Sequence, residues 1–204
     1  MRPIGLTGGI ATGKSTVSRM LSEMGAVIID ADRIAHDVVQ KEKPALGKII
    51  ECFGKCVIAD NGEIDRKVLG EIVFNDSEKK HALNSIVHPE VLLEMDRAIK
   101  ESLREKPCAM VILDVPLLIE SGMHTGMREV ILVYVPEEIQ LRRLIERDNS
   151  DKVAALARIQ SQMPIEQKRA YATMIIDNSG GIEETRKRTT EVFDMLKNKM
   201  RMVD

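Results

Sequence analysis

Gly8-Gly9-Ile10-Ala11-Thr12-Gly13-Lys14-Ser15 is the stretch that decides the fold of this 204-residue chain. It fits the pattern G-x-x-x-x-G-K-[ST], in which a glycine-rich loop wraps backbone N–H groups around a phosphate. The apolar run at 3–7 predicts a strand before the loop, and the spacing of 16–21 predicts a helix after it. Because a helix N-terminus carries partial positive charge, this strand–loop–helix order predicts an anion-binding loop.

The residue types of the loop predict individual contacts with a nucleotide. Lys14 is expected to reach the β- and γ-phosphates, and the Ser15 hydroxyl is expected to hold Mg²⁺. The glycines let successive N–H groups turn inward around the anion. The predicted nucleotide-binding residues of the loop are Gly8, Gly9, Ile10, Ala11, Thr12, Gly13, Lys14, Ser15 and Thr16.

Composition excludes several classes of function. Aromatic residues make up only 2% of the chain and the formal net charge is −2, so neither stacking platforms nor a basic stripe indicates nucleic-acid binding. The longest apolar run, 108–119, contains Asp114 and Pro116 and is too short to span a bilayer. With a strand at the N-terminus where an export signal would stand, we expect a cytoplasmic protein with no membrane partner. Cys52, Cys56 and Cys108 are expected to be reduced and buried as small hydrophobes.

Strand and helix signals alternate along the chain, which predicts an α/β fold with a parallel sheet. The segment 33–107 is far longer than one crossover requires and is predicted to be a helical insert that binds a second substrate. Its clearest helix is predicted to start near Pro89, and a last helix is predicted at 183–200. The strands are predicted at 4–7, 26–30, 110–115, 130–135 and 174–177.

Three carboxylates follow predicted strands, at the sheet edge where ligands of open α/β sheets bind. Asp30 and Asp32 close the second strand, and one of them could accept a hydroxyl proton while the other orients Mg²⁺ or the carboxylate that acts as the base. A helix cap is the alternative function for this pair. Asp114 ends the third strand, where it is either a carboxylate near the metal or a strand-end turn residue.

Arg143 and Arg147 are four residues apart on a predicted helix and face the same way. They could clamp a transferred phosphoryl group, but neighbouring acidic residues could pair with them, and the spacing alone favours a solvated charged face. Asn178 follows the last strand in a turn and is interpreted as facing an adenine ring. His88 alone is more typical of a cap or surface residue than of a ligand.

Together these motifs resemble the dephospho-CoA kinases along almost the whole chain. Asp-Ala-Asp, His-Pro and Pro-Leu-Leu in this order are far more specific than the phosphate-binding loop. Two departures are Ala11-Thr12, where the family often has Gly-Ser, and Ala172-Thr173, where it usually has Ala-Asp. Besides the loop, the resemblance is carried by Asp30-Ala31-Asp32, Phe53-Gly54, Asp65-Arg66, Leu69-Gly70, Val73-Phe74, His88-Pro89, Pro116-Leu117-Leu118, Glu120, Gln140, Arg143, Arg147-Asp148, Arg158, Gln162, Asn178 and Gly180.

The resemblance implies ATP-dependent phosphorylation of the ribose 3′-hydroxyl of dephospho-CoA, with Mg²⁺. It implies a nucleotide-binding core at 1–32, 108–136 and 170–204, a CoA-binding insert at 33–107 and a mobile lid at 137–169. The catalytic residues expected on this basis are Asp32 as base, Lys14 and Arg143. Arg147 and Asn178 are expected to bind ATP, and the residues expected on the acceptor side are Asp32, Arg66, His88 and Leu117.

Two other functions remain open at this point. A nucleoside-monophosphate or shikimate-type kinase would share the loop but use another acceptor. A nucleotide-dependent switch or binding module would lack transfer chemistry, although the paired carboxylates and the long insert count against it. A monomer or weak oligomer is expected.

Overall fold

The computed structural model describes residues 2–74 and 76–201 and contains a five-stranded sheet. The strand order is β2-β3-β1-β4-β5, and the pairs β1–β3, β1–β4 and β4–β5 are parallel. This confirms the prediction of an α/β fold built on a five-stranded parallel sheet. The strands are β1 (Ile4–Gly8), β2 (Val27–Asp30), β3 (Val111–Asp114), β4 (Glu129–Tyr134) and β5 (Met174–Asp177).

Helices connect the strands, and the predicted helices at 16–21 and 183–200 lie within helices of the structure. Short 3₁₀ turns lie at Lys55–Val57, Met123–Gly126 and Arg169–Tyr171. No helix in the ranges that the structure describes is long and apolar enough to cross a membrane. The helices are α1 (Lys14–Glu23), α2 (Ala31–Asp37), α3 (Pro44–Phe53), α4 (Arg66–Phe74), α5 (Ser77–Glu105), α6 (Glu137–Asp148), α7 (Lys152–Gln160), α8 (Ile165–Lys168) and α9 (Ile182–Arg201).

The chain divides into two compact units, one formed by Met1–Ile29 with Ser102–Asp204 and the other by Asp30–Glu101. In the first unit, Ile112 of β3 and Ile131 of β4 are fully buried in a core that α1 and α9 help to cover. Strands buried on both faces require continuous apolar runs, which is why they could be located from the sequence.

The second unit is helical and has its own apolar core around Ile49, Val57 and Leu69. The prediction that its clearest helix starts near Pro89 is wrong, because α5 begins at Ser77 and runs through the proline. Proline removes one backbone N–H and usually ends a helix. Here the residues before Pro89 that pack on this core, including Leu83 and Val87, keep the earlier part of α5 helical.

The expectation of buried cysteines is also wrong, since Cys52, Cys56 and Cys108 are free and exposed. The buried face of α3 is formed by Ala45, Leu46 and Ile49, which leaves Cys52 outside it. Periodicity located the helix but did not determine which of its apolar residues would be covered.

Candidate active site

The phosphate-binding loop joins β1 to α1 as a tight turn. The Thr12 N–H donates to the Gly9 carbonyl at 3.2 Å, and the Thr12 hydroxyl donates to the same oxygen at 2.8 Å. Gly13 has φ 84° at the start of α1, a conformation that glycine adopts without strain. Ala11 has φ 59°, so the alanine occupies a left-handed position where the family often has glycine.

Amide side chains from distant elements hold this loop in place. Gln140 of α6 donates from Nε2 to the Ile10 carbonyl at 2.7 Å, and Gln162 accepts from the Ile10 N–H at 2.9 Å. Asn178 donates from Nδ2 to the Thr12 carbonyl at 2.7 Å. The peptide groups at Ile10 and Thr12 therefore have fixed directions in the loop.

The closeness of these amides explains two of the loop glycines. A Cβ on Gly9 would lie 2.4 Å from Nε2 of Gln140, and a Cβ on Gly13 would lie 2.1 Å from Nδ2 of Asn178. Only a residue without a side chain leaves space for these bonds.

Gln140 and Gln162 were not predicted as site residues, although both carried the family resemblance. Gln140 is 2% exposed and lies four residues before buried Leu144 on α6. A single amide on the apolar face of an otherwise charged helix indicates a buried polar contact, and this could have been recognised from the sequence. The partner of Gln140 could not have been predicted, because Ile10 lies 130 positions away along the chain.

Lys14 lies at the first position of α1 and forms an ion pair with Asp114 at the end of β3. The pairing of β1 with β3 sets Asp114 beside Leu6, two residues before the loop begins. Asp114 is 5% exposed, and a buried carboxylate requires such a partner. The structure thus brings the lysine and the strand-end carboxylate together at the loop.

Arg143 points toward the loop from α6. Its Nη2 donates to the backbone carbonyl of Asn178 at 2.8 Å, and its Nη1 lies 3.9 Å from the position that a Cβ on Gly13 would occupy. The Asn178 amide oxygen accepts from the Thr185 hydroxyl at 2.6 Å, so this side chain links the loop to α9. Contact of Asn178 with adenine stays a prediction.

Arg147 is paired at the end of α6. It donates from Nε and Nη2 to the two Asp148 oxygens at 2.7 and 3.1 Å, and Arg158 also pairs with Asp148. The hydrogen bonds from Arg147, and then those from Arg158, lower the pKa of Asp148 to about 2. The bond to Asp148 raises the pKa of Arg147 above its ordinary value. Binding of ATP by Arg147 stays a prediction.

The segment around α8 is held by an ion pair between a buried lysine and an exposed glutamate. Lys168 is fully buried, and its Nζ lies 2.7 Å from a carboxylate oxygen of Glu120. The same oxygen accepts from the Met163 N–H at 3.2 Å. Glu120 lies after β3, so its contacts with Met163 and Lys168 connect the segment that follows Gln162 to the turn after that strand.

The remaining predicted residues divide between the units. Leu117, in the first unit, is 46% exposed in the turn after β3. Asp32, Arg66 and His88 belong to the second unit and are exposed on α2, α4 and α5. Asp30 is the N-cap of α2, and its Oδ1 accepts from the Asp32 and Arg33 N–H groups at 2.9 and 3.1 Å. The capping function weighed for this pair is therefore present at Asp30.

The donor set fits magnesium. Ser15 offers a hydroxyl in the first turn of α1, and Asp114 offers a carboxylate at the neighbouring strand end. In the described part of the chain, no group of three or more His, Cys, Asp or Glu side chains could hold a metal. Mg²⁺ is usually held by one or two protein oxygens together with substrate phosphates and water, so these residues suffice.

A loop of this sequence between the first strand of a parallel sheet and its helix, with a lysine and a strand-end carboxylate beside it, defines a P-loop nucleotide-binding protein. The model of the dephospho-CoA kinase family matches residues 2–184, and the chain therefore belongs to that family. A dephospho-CoA kinase of Carboxydothermus hydrogenoformans is 51% identical over 95% of this chain and 94% of its own.

Solved structures agree with this assignment. A dephospho-CoA kinase from Campylobacter jejuni is 32% identical, with a TM-score of 0.74 over 97% of this chain and 98% of its own. A protein from Thermus thermophilus is 33% identical, with a TM-score of 0.80 over 96% of this chain and 99% of its own.

Proposed function

We propose that the protein transfers the γ-phosphoryl group of ATP to the ribose 3′-hydroxyl of dephospho-CoA, giving coenzyme A and ADP. The observation that carries the proposal is the complete phosphate-binding loop, with Lys14 at its end paired to Asp114, in a chain of this family. A kinase of this family uses ATP as donor, and every loop residue that such binding requires is present.

On the donor side, the loop N–H groups and Lys14 bind the phosphates. Arg143, which already points toward Gly13, neutralises charge that develops on the transferred group, and Arg147 and Asn178 contact the remainder of ATP. Lys14 leaves Asp114 for the phosphates when the nucleotide enters. Positioning and charge neutralisation are the main contributions that a protein makes to phosphoryl transfer.

Ser15 would hold Mg²⁺, with the Asp114 carboxylate beside it at the neighbouring strand end. When bound, the ion would help to neutralise the charges of the β- and γ-phosphates. The protein groups fix its place beside Lys14.

On the acceptor side, Asp32 accepts the proton of the 3′-hydroxyl or orients that hydroxyl for attack. Asp30 holds the first turn of α2 through its cap, so the direction of Asp32 is set by its neighbour. Arg66, His88 and Leu117 bind other parts of dephospho-CoA. A cytoplasmic location and a monomeric or weakly associated state remain part of the proposal.

A coupled ADP-release assay, run with and without dephospho-CoA, tests the activity. We expect ADP release that depends on dephospho-CoA and a product that carries a new 3′-phosphate by mass spectrometry. Lys14→Met is the control for a contaminating kinase and should be inactive. Transfer to shikimate or to a nucleoside monophosphate, with none to dephospho-CoA, would refute the proposal. ADP release that is slow and independent of every acceptor would indicate a nucleotide switch instead.

A further inference from the structure

Thr185 is a buried polar residue to which the proposed reaction assigns no part. It lies near the start of α9 and is fully buried. Its hydroxyl oxygen is 2.6 Å from Oδ1 of Asn178 and 3.1 Å from the carbonyl oxygen of Gly181. A threonine hydroxyl has one hydrogen to donate, so it bonds one of these two acceptors at a time.

The other end of the Asn178 amide decides between the two acceptors. The amino group, Nδ2, lies at the Thr12 carbonyl oxygen and donates to it at 2.7 Å. The amide oxygen therefore faces Thr185, and two oxygens 2.6 Å apart require a hydrogen between them. Turning the amide over would set its oxygen against the Thr12 carbonyl oxygen instead. The Thr185 hydroxyl thus donates to Asn178 and determines which way the amide points.

The carbonyl that Asn178 holds belongs to the same peptide group as the Gly13 N–H. Because a peptide group is planar and trans, its carbonyl and its N–H point in opposite directions. With the Thr12 carbonyl bonded to Asn178, the Gly13 N–H points away from that side chain. Inward-turned N–H groups of this loop are the donors that bind phosphate. The direction of the Asn178 amide therefore sets the direction of one phosphate-binding donor.

Asn178 also sets the direction of Arg143. The Asn178 backbone carbonyl accepts from Nη2 of Arg143 at 2.8 Å, and its N–H donates to the Tyr134 carbonyl at 2.8 Å. Asn178 is 8% exposed, so water cannot easily replace a partner that its side chain loses. A change at Thr185 is thus transmitted to the phosphate-binding loop through a residue with little freedom to move.

We propose that Thr185 is a positioning residue for ATP: by fixing the Asn178 amide, its hydroxyl aims the Gly13 N–H at the phosphates. This inference rests on the proposed function only in taking ATP as the phosphoryl donor. Thr185 is fully buried, so it acts through Asn178 and the loop and not by touching the nucleotide. The Asn178 amino group has a second hydrogen, which the contact with ATP proposed for this residue can use.

Removing the hydroxyl tests the inference, and α9 offers a matched control. Thr185→Val keeps the shape of the side chain and leaves the buried Asn178 oxygen without its donor. Thr189→Val makes the same change one turn later, where a fully buried hydroxyl donates to the Thr185 backbone carbonyl at 2.7 Å instead of to Asn178. Thr185→Ser changes the side chain but retains the hydroxyl. Thermal unfolding of each variant checks that it is folded.

The probes are ATP and inorganic tripolyphosphate, which has the phosphates of ATP but neither ribose nor adenine. Loss of the donor to a buried acceptor corresponds to about 5–150-fold in an equilibrium that needs the ordered group. Thr185→Val should therefore raise the calorimetric Kd of both probes about fivefold or more, by the same factor. KM for dephospho-CoA at saturating ATP should not change. Thr189→Val and Thr185→Ser should bind both probes as the wild type does.

A double variant tests whether Thr185 acts through Asn178. In an Asn178→Ala background, the oxygen that the Thr185 hydroxyl bonds is absent. Adding Thr185→Val to that background should therefore change the Kd of ATP no further, since both substitutions break the same connection. A second loss as large as the one in the wild-type background would overturn the inference.

The remaining outcomes separate this inference from the proposed function. A folded Thr185→Val protein that binds both probes as tightly as Thr189→Val overturns the inference and leaves the activity intact. A weaker affinity for ATP alone, or a wild type that binds ATP but not tripolyphosphate at millimolar concentration, also overturns it, because phosphate binding by the loop is then not what changed. Weaker binding of both probes by Thr185→Val, in a protein that transfers nothing to dephospho-CoA, supports the positioning role and overturns the proposed function.

Discussion

Replacing Gln140 with glutamate tests how the phosphate-binding loop is held. Gln140 uses its N–H₂ group as donor to the Ile10 carbonyl at 2.7 Å, so a carboxylate at this position loses the bond and faces a carbonyl oxygen. Gln162 uses its oxygen to accept from the Ile10 N–H at 2.9 Å, so Gln162→Glu keeps that bond. Both variants add one negative charge near the same residue, and their difference isolates the lost donor.

The expected size of the effect follows from burial. Gln140 is 2% exposed, so its loss of a donor leaves an acceptor that water cannot easily satisfy. Such a change costs about 1–3 kcal/mol, and where the loop must be ordered to bind phosphate, the same free energy appears as a roughly 5–150-fold loss of ATP affinity. Gln162→Glu should retain most of the affinity, apart from the charge repulsion that both variants share.

Urea unfolding and KM for ATP are measured for the wild type and for both variants. Salt titration separates the shared repulsion, since screening weakens it for both. Equal losses in Gln140→Glu and Gln162→Glu would show that charge alone is responsible. Unchanged stability and KM in Gln140→Glu would refute the reasoning that the amide holds the loop.

Three further predictions concern carboxylates. Asp32→Asn should lower kcat by about 10²–10⁴-fold with KM for ATP nearly unchanged, and near-normal turnover in steady-state assays would exclude it as the base. Lys14→Met leaves the Asp114 charge buried without its lysine and should lower the free energy of unfolding by about 3–5 kcal/mol in urea. Adding Asp114→Asn should recover stability without activity, whereas an equally unstable double variant would contradict the ion-pair argument. The folded pKa of Asp148 is about 2, against an ordinary value of 3.8, so its pairing with Arg147 stabilises the fold above about pH 4. That contribution should disappear as the pH falls toward 2, and the melting temperature of Asp148→Asn should therefore depend less on pH in this range than that of the wild type.

The strands and the phosphate-binding loop could be predicted because their signals are local. A buried parallel strand needs a continuous apolar run, and the loop needs glycine, lysine and serine at fixed spacing. The start of α5 could not be predicted in this way, because proline is a local signal for a helix end and packing on the insert core overrides it. The exposure of the three cysteines likewise depends on which helix faces meet.

The partners of the loop are determined by tertiary structure. Sequence identified Asp114 at a strand end, but only the pairing of β1 with β3 sets it beside Lys14. Gln140, Gln162 and Asn178 reach the loop from positions more than 100 residues away along the chain. No local sequence pattern predicts contacts between residues that are so far apart along the chain.

The sequence by itself determined that this chain has a phosphate-binding loop on an α/β sheet and that it resembles the dephospho-CoA kinases. This was possible because the residues that form a phosphate-binding loop are consecutive in the chain, so their pattern is visible in the sequence. Only the tertiary structure decided what holds that loop, and it also linked the buried Thr185 hydroxyl to the loop through the Asn178 amide. Such arrangements depend on chain crossings and side-chain packing, which join residues that the sequence keeps apart.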